Sequence, residues 1–208
     1  MSKKRMTFPP ISNWFEKSFD TPLIIAGPCS AENRQQVIDT ALELAKLNRV
    51  HVFRAGIWKP RSRPGSFQGA GNVALEWLME AKQLTGLKMA IEVATPQHVD
   101  FALKHGIDIL WVGARTSSNP FSVDELAHSL AGVDVPILVK NPVNPDIELW
   151  LGIIERFHHV GITKLGAIHR GFSPFRRSSY RNIPKWEVPI DLKRYLPTLP
   201  VICDPSHI

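Results

Sequence analysis

The chain has 208 residues, of which 44% are hydrophobic and 21% are charged, and its formal net charge is +6 at pH 7. This apolar fraction supports a buried core, which excludes a disordered tail and favours one globular domain or two small ones. No segment approaches the roughly 18 uncharged apolar residues of a membrane span, and residues 1–6 lack the apolar stretch of a secretory signal. We therefore expect a cytoplasmic protein.

Short apolar runs alternate with amphipathic segments along the chain. This pattern predicts strands at 21–26, 50–54, 88–93, 108–112, 136–140, 163–168 and 199–204. It predicts helices at 33–47, 73–85, 96–105, 123–130 and 146–158, with a polar, arginine-rich segment over 170–189. Gly86 follows the second helix at the position where glycine commonly ends a helix.

Alternating strands and helices, with strands apolar on both faces, predict a parallel sheet covered by helices. Either a doubly wound open sheet or a closed barrel satisfies this pattern. Residues suited to binding ligands follow nearly every strand, and a barrel gathers all its strand ends around one centre. We therefore expect an α/β fold, a (β/α)8 barrel that lacks its last helix-strand-helix elements. The predicted domains are an N-terminal extension, 1–20, and an incomplete barrel catalytic domain, 21–208.

Positively charged residues stand singly after the predicted strands rather than in a continuous stripe. Arg54 follows the second strand, and Lys59, Arg61 and Arg63 crowd one loop that two prolines stiffen. Later strand ends carry Glu92, Arg115, Lys140, His169 and Arg170. Isolated cations that converge on one site bind small phosphates or carboxylates, whereas a nucleic-acid polymer favours a basic stripe. Nucleic-acid binding is thus the weaker alternative.

Two cysteines, Cys29 and Cys203, do not suggest a disulfide framework in a chain of this length. Cys29 lies in a Gly-Pro turn after the first strand, where a thiolate could bind a soft or borderline divalent metal. His207, in the segment DPSH after the last strand, is a candidate second ligand. The alternative is that both residues are structural, as most free cysteines and single histidines are.

The segments AGPCSAE, FRAGIWKPRSRPGSFQG, WVGART, ILVKNP, HRG and DPSH together resemble the 3-deoxy-D-arabino-heptulosonate 7-phosphate (DAHP) synthase family, which begins the shikimate pathway of aromatic amino acid biosynthesis. The resemblance runs from Pro22 to Ile208 and is greatest to the short bacterial form, some members of which carry a fused chorismate mutase domain. A related family that makes an eight-carbon sugar acid has a Lys-Ala-Asn-Arg type loop. Lys59, Pro60, Arg61 and Ser62 stand here instead, with Ser62 replacing the commoner threonine.

The resemblance implies a transferase that condenses phosphoenolpyruvate with erythrose 4-phosphate, releasing DAHP and phosphate. The phosphoenolpyruvate-binding residues would be Arg54, Lys59, Arg115, Lys140 and Arg170. Arg61 and Ser62 would bind the phosphate of erythrose 4-phosphate, and the catalytic residues would be Lys59, Glu92 and Lys140. Cys29 and His207 would be two of four protein ligands to a divalent Mn, Fe, Co or Zn ion. A homo-oligomer is also expected.

One feature departs from the family pattern. The family's remaining metal ligands, a glutamate and an aspartate, lie beyond the DPSH motif, whereas this sequence ends at Ile208. We expect a truncated piece of a longer protein, because the substrate motifs upstream are intact. The alternative is a catalytically inactive phosphate-binding remnant or a regulatory module.

Overall fold

A computed structural model describes residues 6–15, 22–59, 65–176 and 178–208. Within these residues, seven strands alternate with helices. The strands are β1 (Ile25–Ala26), β2 (Val52–Arg54), β3 (Lys88–Val93), β4 (Ile109–Val112), β5 (Ile137–Lys140), β6 (Leu165–His169) and β7 (Val201–Cys203). The helices are α1 (Arg34–Lys46), α2 (Val73–Thr85), α3 (Pro96–Lys104), α4 (Ala114–Ser117), α5 (Pro120–Ser129), α6 (Ile147–His159) and α7 (Glu187–Tyr195).

The chain divides into two compact units. The first unit is Phe19–Trp111, and the second unit comprises Met1–Ser18 together with Val112–Ile208. Each unit holds its own run of parallel strands connected by helices, so each is described separately below. No described helix is long and apolar enough to cross a membrane.

In the first unit, β1, β2 and β3 are parallel and adjacent in chain order. Ala26 pairs with Phe53, and Arg54 pairs with Ala90. This register brings the carboxyl ends of the three strands to one edge, because parallel strands all run the same way. Asp108 connects the opposite end of β3 to α2: its carboxylate accepts a hydrogen bond from Met89 N at 2.8 Å and pairs with Lys82 at 2.7 Å.

Side-chain caps explain where the helices of the first unit begin. Asn33 accepts a hydrogen bond from Gln36 N at 2.9 Å before α1, and Thr95 accepts one from His98 N at 3.2 Å before α3. Helix α2 spans the predicted residues and ends at Gly86, whose φ of +71° is the left-handed conformation that glycine adopts readily. The predicted helix stop is confirmed.

In the second unit, β5, β6 and β7 form a second parallel set, with Lys140 paired to Ile168 and His169 paired to Cys203. Every residue of β5 and β6 is buried, as expected for strands covered on both faces. Helix α6 supplies four fully buried side chains from one stripe. These are Trp150, Ile153, Ile154 and Phe157, each with 0% exposure.

The residues predicted to form an N-terminal extension pack into the second unit where they are described. Phe8 and Trp14 are 4% and 3% exposed. A Cβ placed on Gly166 of β6 would lie 2.9 Å from Trp14 Cη2, so the strand leaves room for the indole there. The segment therefore contributes to the core of the second unit.

The structure corrects the sequence-based assignment at two helices. Helix α4 follows β4 directly and was not predicted, because four residues give no periodicity. Helix α7 begins within the segment predicted to be polar and irregular, and extends to Tyr195. Only Pro189 and Leu192 of α7 are buried, so its apolar stripe is too narrow to stand out in the sequence.

Candidate functional site

The end of β1 lies tightly against the end of β2 in the first unit. Gly27 has a φ of +147°, and a Cβ placed there would lie 2.1 Å from the carbonyl oxygen of Arg54. Only glycine fits such an approach without displacing a backbone atom. The turn that follows, Pro28 and Cys29, is thereby held beside Arg54.

Two cations bracket this turn through its carbonyl oxygens. Arg54 Nη1 donates to Pro28 O at 3.2 Å, and Lys59 Nζ donates to Cys29 O at 2.8 Å. Lys59 Nζ also lies 3.5 Å from Cys29 Sγ. Among the described residues, no carboxylate forms an ion pair with Arg54 or Lys59. The predicted substrate cations Arg54 and Lys59 and the predicted metal ligand Cys29 therefore share one location.

An aromatic ring supports Arg54 from the side. The guanidinium carbon lies 4.8 Å from the centre of the Trp111 ring, within the range of a cation–π interaction. Trp111 is 3% exposed, and its Nε1 donates to Glu92 Oε2 at 3.1 Å. Glu92, predicted to be catalytic, is thus connected to Arg54 through Trp111. From the sequence, Trp111 had a place in a strand and in the motif WVGART but no role of its own.

A stacked pair of rings includes Trp58, the residue just before Lys59. Trp58 and His98 stack with their ring centroids 3.9 Å apart and their planes 5° apart. His98 Nδ1 accepts a hydrogen bond from Ala94 N at 3.3 Å. Burial lowers the pKa of His98, and the nearby charge of Glu92 opposes that shift. His98 is therefore favoured as a neutral ring. Sequence reasoning gave His98 no role.

The predicted residues Arg61 and Ser62 lie outside the described residues. The structure on either side of them closes the loop by backbone hydrogen bonds, from Lys59 N to Gln68 O at 2.7 Å and from Gly71 N to Ile57 O at 2.9 Å. Their assignment to a phosphate site stays a prediction.

In the second unit, Lys140 and His207 meet at one carboxylate. Lys140 Nζ is 3.0 Å from Asp204 Oδ2, and His207 Nδ1 is 2.9 Å from Asp204 Oδ1. Burial alone would raise the pKa of Asp204, but the hydrogen bond from His207 and the charge of Lys140 outweigh it and hold that pKa far below its usual range. A lowered pKa favours the ionised form of Asp204 at neutral pH. The sequence analysis noted it only as part of DPSH.

The other two predicted cations of the second unit lie after β4 and β6. Arg115 belongs to α4 and is exposed. Arg170 is half-buried, and its backbone N donates to Asn141 Oδ1 at 2.8 Å. Asn141 also donates from Nδ2 to Gly171 O at 2.9 Å, so this buried amide ties the segments after β5 and β6 together. Asn141 was not singled out from the sequence, although it directly follows Lys140.

His169 has an unusual environment at the end of β6. It is 1% exposed, and neither ring nitrogen forms a hydrogen bond within the described part of the chain. Its ring lies 4.7 Å from that of Trp186, beside a cavity of ≈ 300 Å³ that Cys203 also lines. Burial lowers the pKa of His169. A contact with the backbone of Pro184, which lies outside hydrogen-bonding geometry, opposes this shift.

The predicted metal ligands have suitable chemistry, considered one at a time. The Asp204 carboxylate engages Nδ1 of His207, and this arrangement leaves Nε2 for a metal, as is common for metal-binding histidines. Cys29 is exposed, and its thiolate would suit a borderline divalent ion. Within the ranges that the structure covers, no cluster of three or more His, Cys, Asp or Glu side chains has metal-binding geometry. Thiolate and imidazole donors fit such a metal, and the complete ligand set remains a prediction.

Comparison with known proteins gives a consistent result. The sequence profile of the DAHP synthetase I family matches residues 16–208. A phospho-2-dehydro-3-deoxyheptonate aldolase of Thermotoga maritima is 34% identical over 184 residues, which are 88% of this chain and 52% of that protein. The chain thus spans about half the length of this curated relative.

Solved structures agree on the fold. The crystal structure of a Thermotoga maritima DAHP synthase matches with a TM-score of 0.76 and 32% identity over 89% of this chain and 51% of that one. A truncated form of the Thermotoga maritima enzyme matches with a TM-score of 0.73 and 31% identity, over 89% and 64% of the two chains.

With six βα units and a seventh strand in the described residues, these matches confirm the expected fold class, an incomplete (β/α)8 barrel. The profile covers nearly the whole sequence, and the resemblance that the six motifs indicated is confirmed. The chain belongs to the DAHP synthetase I family.

Proposed function

We propose that the protein is a DAHP synthase, which condenses phosphoenolpyruvate with erythrose 4-phosphate to give DAHP and phosphate. Family membership supports this proposal. The observation that carries it is the pair Arg54 and Lys59. Each donates to a backbone carbonyl of the same turn, and neither has a carboxylate partner among the described residues. Two half-buried cations without a neutralising anion are suited to bind a small, highly charged anion.

The proposed substrate-binding cations would have different roles in binding the anion and stabilising its charge. Arg54 presents a planar fork suited to a phosphate or carboxylate, and Lys59 adds a point charge, its ammonium group being held at Cys29 O. Arg115, Lys140 and Arg170 are the proposed phosphoenolpyruvate ligands of the second unit. Lys140 is anchored by Asp204, whose Oδ2 lies 3.0 Å from its Nζ.

In the proposed reaction, the methylene carbon of phosphoenolpyruvate forms a bond to the aldehyde carbon of erythrose 4-phosphate. Positive charge develops at the adjacent carbon, water adds there, and phosphate leaves with cleavage of its carbon–oxygen bond. Lys59 and Lys140 are the proposed catalytic cations, which would stabilise the leaving phosphate and the developing oxyanion. Arg61 and Ser62 are proposed to hold the phosphate of erythrose 4-phosphate, which orients the aldehyde.

Cys29 and His207 are the proposed holders of a divalent metal, Mn, Fe, Co or Zn. When bound, this metal would position or polarise the aldehyde. Asp204 would orient His207 for this role, because its carboxylate fixes the ring through Nδ1.

The test is a coupled assay that follows phosphoenolpyruvate loss and phosphate release with erythrose 4-phosphate and manganese. We expect turnover, and we expect Arg54→Ala and Lys59→Ala each to lower kcat/KM about 100-fold or more, because each removes charge at the reacting anion. Lys46→Ala is the control, since Lys46 lies exposed on α1 and pairs with Glu43. A folded protein without turnover, or variants no worse than Lys46→Ala, would refute the proposal.

The family resemblance also suggests three finer properties that we propose with it: a homo-oligomer, a cytoplasmic location and a fused chorismate mutase domain in the full-length protein. Light scattering after size exclusion tests the first of these.

A further inference from the structure

Arg54 is held by a neighbour that adds no charge. Its guanidinium carbon lies 4.8 Å from the Trp111 ring centre, and its Nη1 donates to the carbonyl of Pro28 at 3.2 Å. A carboxylate in the place of Trp111 would fix the arginine equally well but would neutralise it. An aromatic face fixes the side chain and leaves its positive charge available to an anion.

The orientation of Trp111 is itself fixed by Glu92. The indole Nε1 donates to Glu92 Oε2 at 3.1 Å, and a ring that rotated away would lose this bond in a nearly dry location. A carboxylate that accepts the indole N–H also polarises the ring and makes its face more negative, because hydrogen bonds polarise their partners in a low dielectric. Glu92 therefore acts on Arg54 indirectly, through Trp111, without an ion pair between Glu92 and Arg54.

We propose that Trp111 and Glu92 are positioning residues for Arg54, and that they set the affinity of the protein for the anion Arg54 binds. The inference rests on the proposed function in naming phosphoenolpyruvate as that anion. It gives Glu92 a role through Trp111 instead of contact with the reacting atoms. Affinity for phosphoenolpyruvate should therefore change more than affinity for erythrose 4-phosphate when either residue is replaced.

The experiment measures phosphoenolpyruvate binding by calorimetry and KM for both substrates in three variants. Trp111→Leu removes the ring face, and we expect about a tenfold weaker Kd for phosphoenolpyruvate, the size of a desolvated cation–π contact. Trp111→Phe keeps a ring without the N–H, and Glu92→Gln keeps an acceptor without the charge. Both should weaken binding about two- to threefold, with the KM for erythrose 4-phosphate unchanged. Trp77→Leu, on α2, is the matched control and should bind as the parent protein does.

A double-mutant cycle separates positioning from a general structural effect. In an Arg54→Ala background, Trp111→Leu should cost no further affinity, because the ring acts through the guanidinium. Equal losses in both backgrounds, or a Trp111→Leu protein that binds phosphoenolpyruvate normally, overturn the proposal.

The same cycle measured by urea unfolding needs no substrate. It should show Arg54 and Trp111 coupled in stability even if the parent protein binds no phosphoenolpyruvate, an outcome that would reject the proposed function alone. Additive unfolding losses would reject the positioning role.

Discussion

At the scale of single residues, the half-buried His98 and the buried His169 make the protein sensitive to acid. Burial lowers the pKa of both His98 and His169, so the folded chain resists the protons that the unfolded chain accepts. Because an unfolded histidine titrates near pH 6.5, stability is retained above that pH and lost as the pH falls below it. Both rings also lie against tryptophans, Trp58 and Trp186, where a charged ring would be poorly solvated.

We predict that His169→Phe reduces this loss of stability in acid. Phenylalanine fits the aromatic surroundings and removes both unpartnered ring nitrogens along with the titrating group. Urea unfolding at pH 7.5 and 5.5 should show a smaller decrease for the variant than for the parent protein. His128→Gln, at an exposed site on α5, is the control. An unchanged difference between the two pH values would contradict the prediction.

At the scale of elements, α6 depends on the residue just before it, its N-cap. Asp146 accepts a hydrogen bond from Leu149 N at 2.9 Å and caps the helix that carries the buried residues Trp150, Ile153 and Phe157. Without this cap, the start of α6 would be less well ordered, and these side chains would be positioned in the core less precisely.

We therefore expect Asp146→Ala to lower the free energy of unfolding by about 1 kcal/mol, the usual value of a lost N-cap. Asp146→Asn, which keeps an acceptor at the same place, should stay close to the parent protein. Urea midpoints at a common m value measure both. Equal losses in the two variants would show that the charge of Asp146, rather than its cap, stabilises the helix.

The sequence predicted helices from capping and periodicity, and it failed where both were weak. Helix α2 was predicted over its exact residues because an apolar stripe runs through it to Gly86. Helix α7 was missed, because Pro189 and Leu192 are its only buried residues. Most strands were predicted too long, as at β1, which spans Ile25–Ala26 in the described residues. Pairing depends on a partner strand that no local pattern describes.

The site residues also divide into those that a local sequence pattern identifies and those that depend on contacts distant in the sequence. Lys59 and Arg54 were found from their position after a strand, a signal carried by a few neighbouring residues. Trp111 and Asp204 were not, because their roles arise from contacts with Glu92 and Lys140, which lie 19 and 64 residues away. Neither contact follows from spacing.

At the scale of the whole molecule, metal binding should be visible as stability. A metal that binds only the folded chain raises the melting temperature by mass action. We expect Mn²⁺ or Zn²⁺ to raise Tm and a chelator to reverse the change. Cys29→Ser should lose most of the increase, and Cys203→Ser should keep it.

This comparison uses the chain's other cysteine as its control. Cys203 is also exposed. Partial burial of its thiol group and the nearby charge of Asp204 raise the pKa of Cys203, so it forms a thiolate less readily. A Tm increase that survives Cys29→Ser would exclude Cys29 as a ligand. The absence of any increase in the parent protein would favour the alternative of a phosphate-binding module without metal.

Gly27 touches no proposed substrate, yet it determines which changes the site can accept. A single added carbon at this position would meet the Arg54 carbonyl at 2.1 Å. Even alanine would therefore push the Pro28–Cys29 turn away from the strand that carries Arg54. A library covering every residue of this turn should recover only glycine at position 27 among active clones. The relative positions of Arg54, Lys59 and the Cys29 thiol therefore depend on a residue that has no side chain.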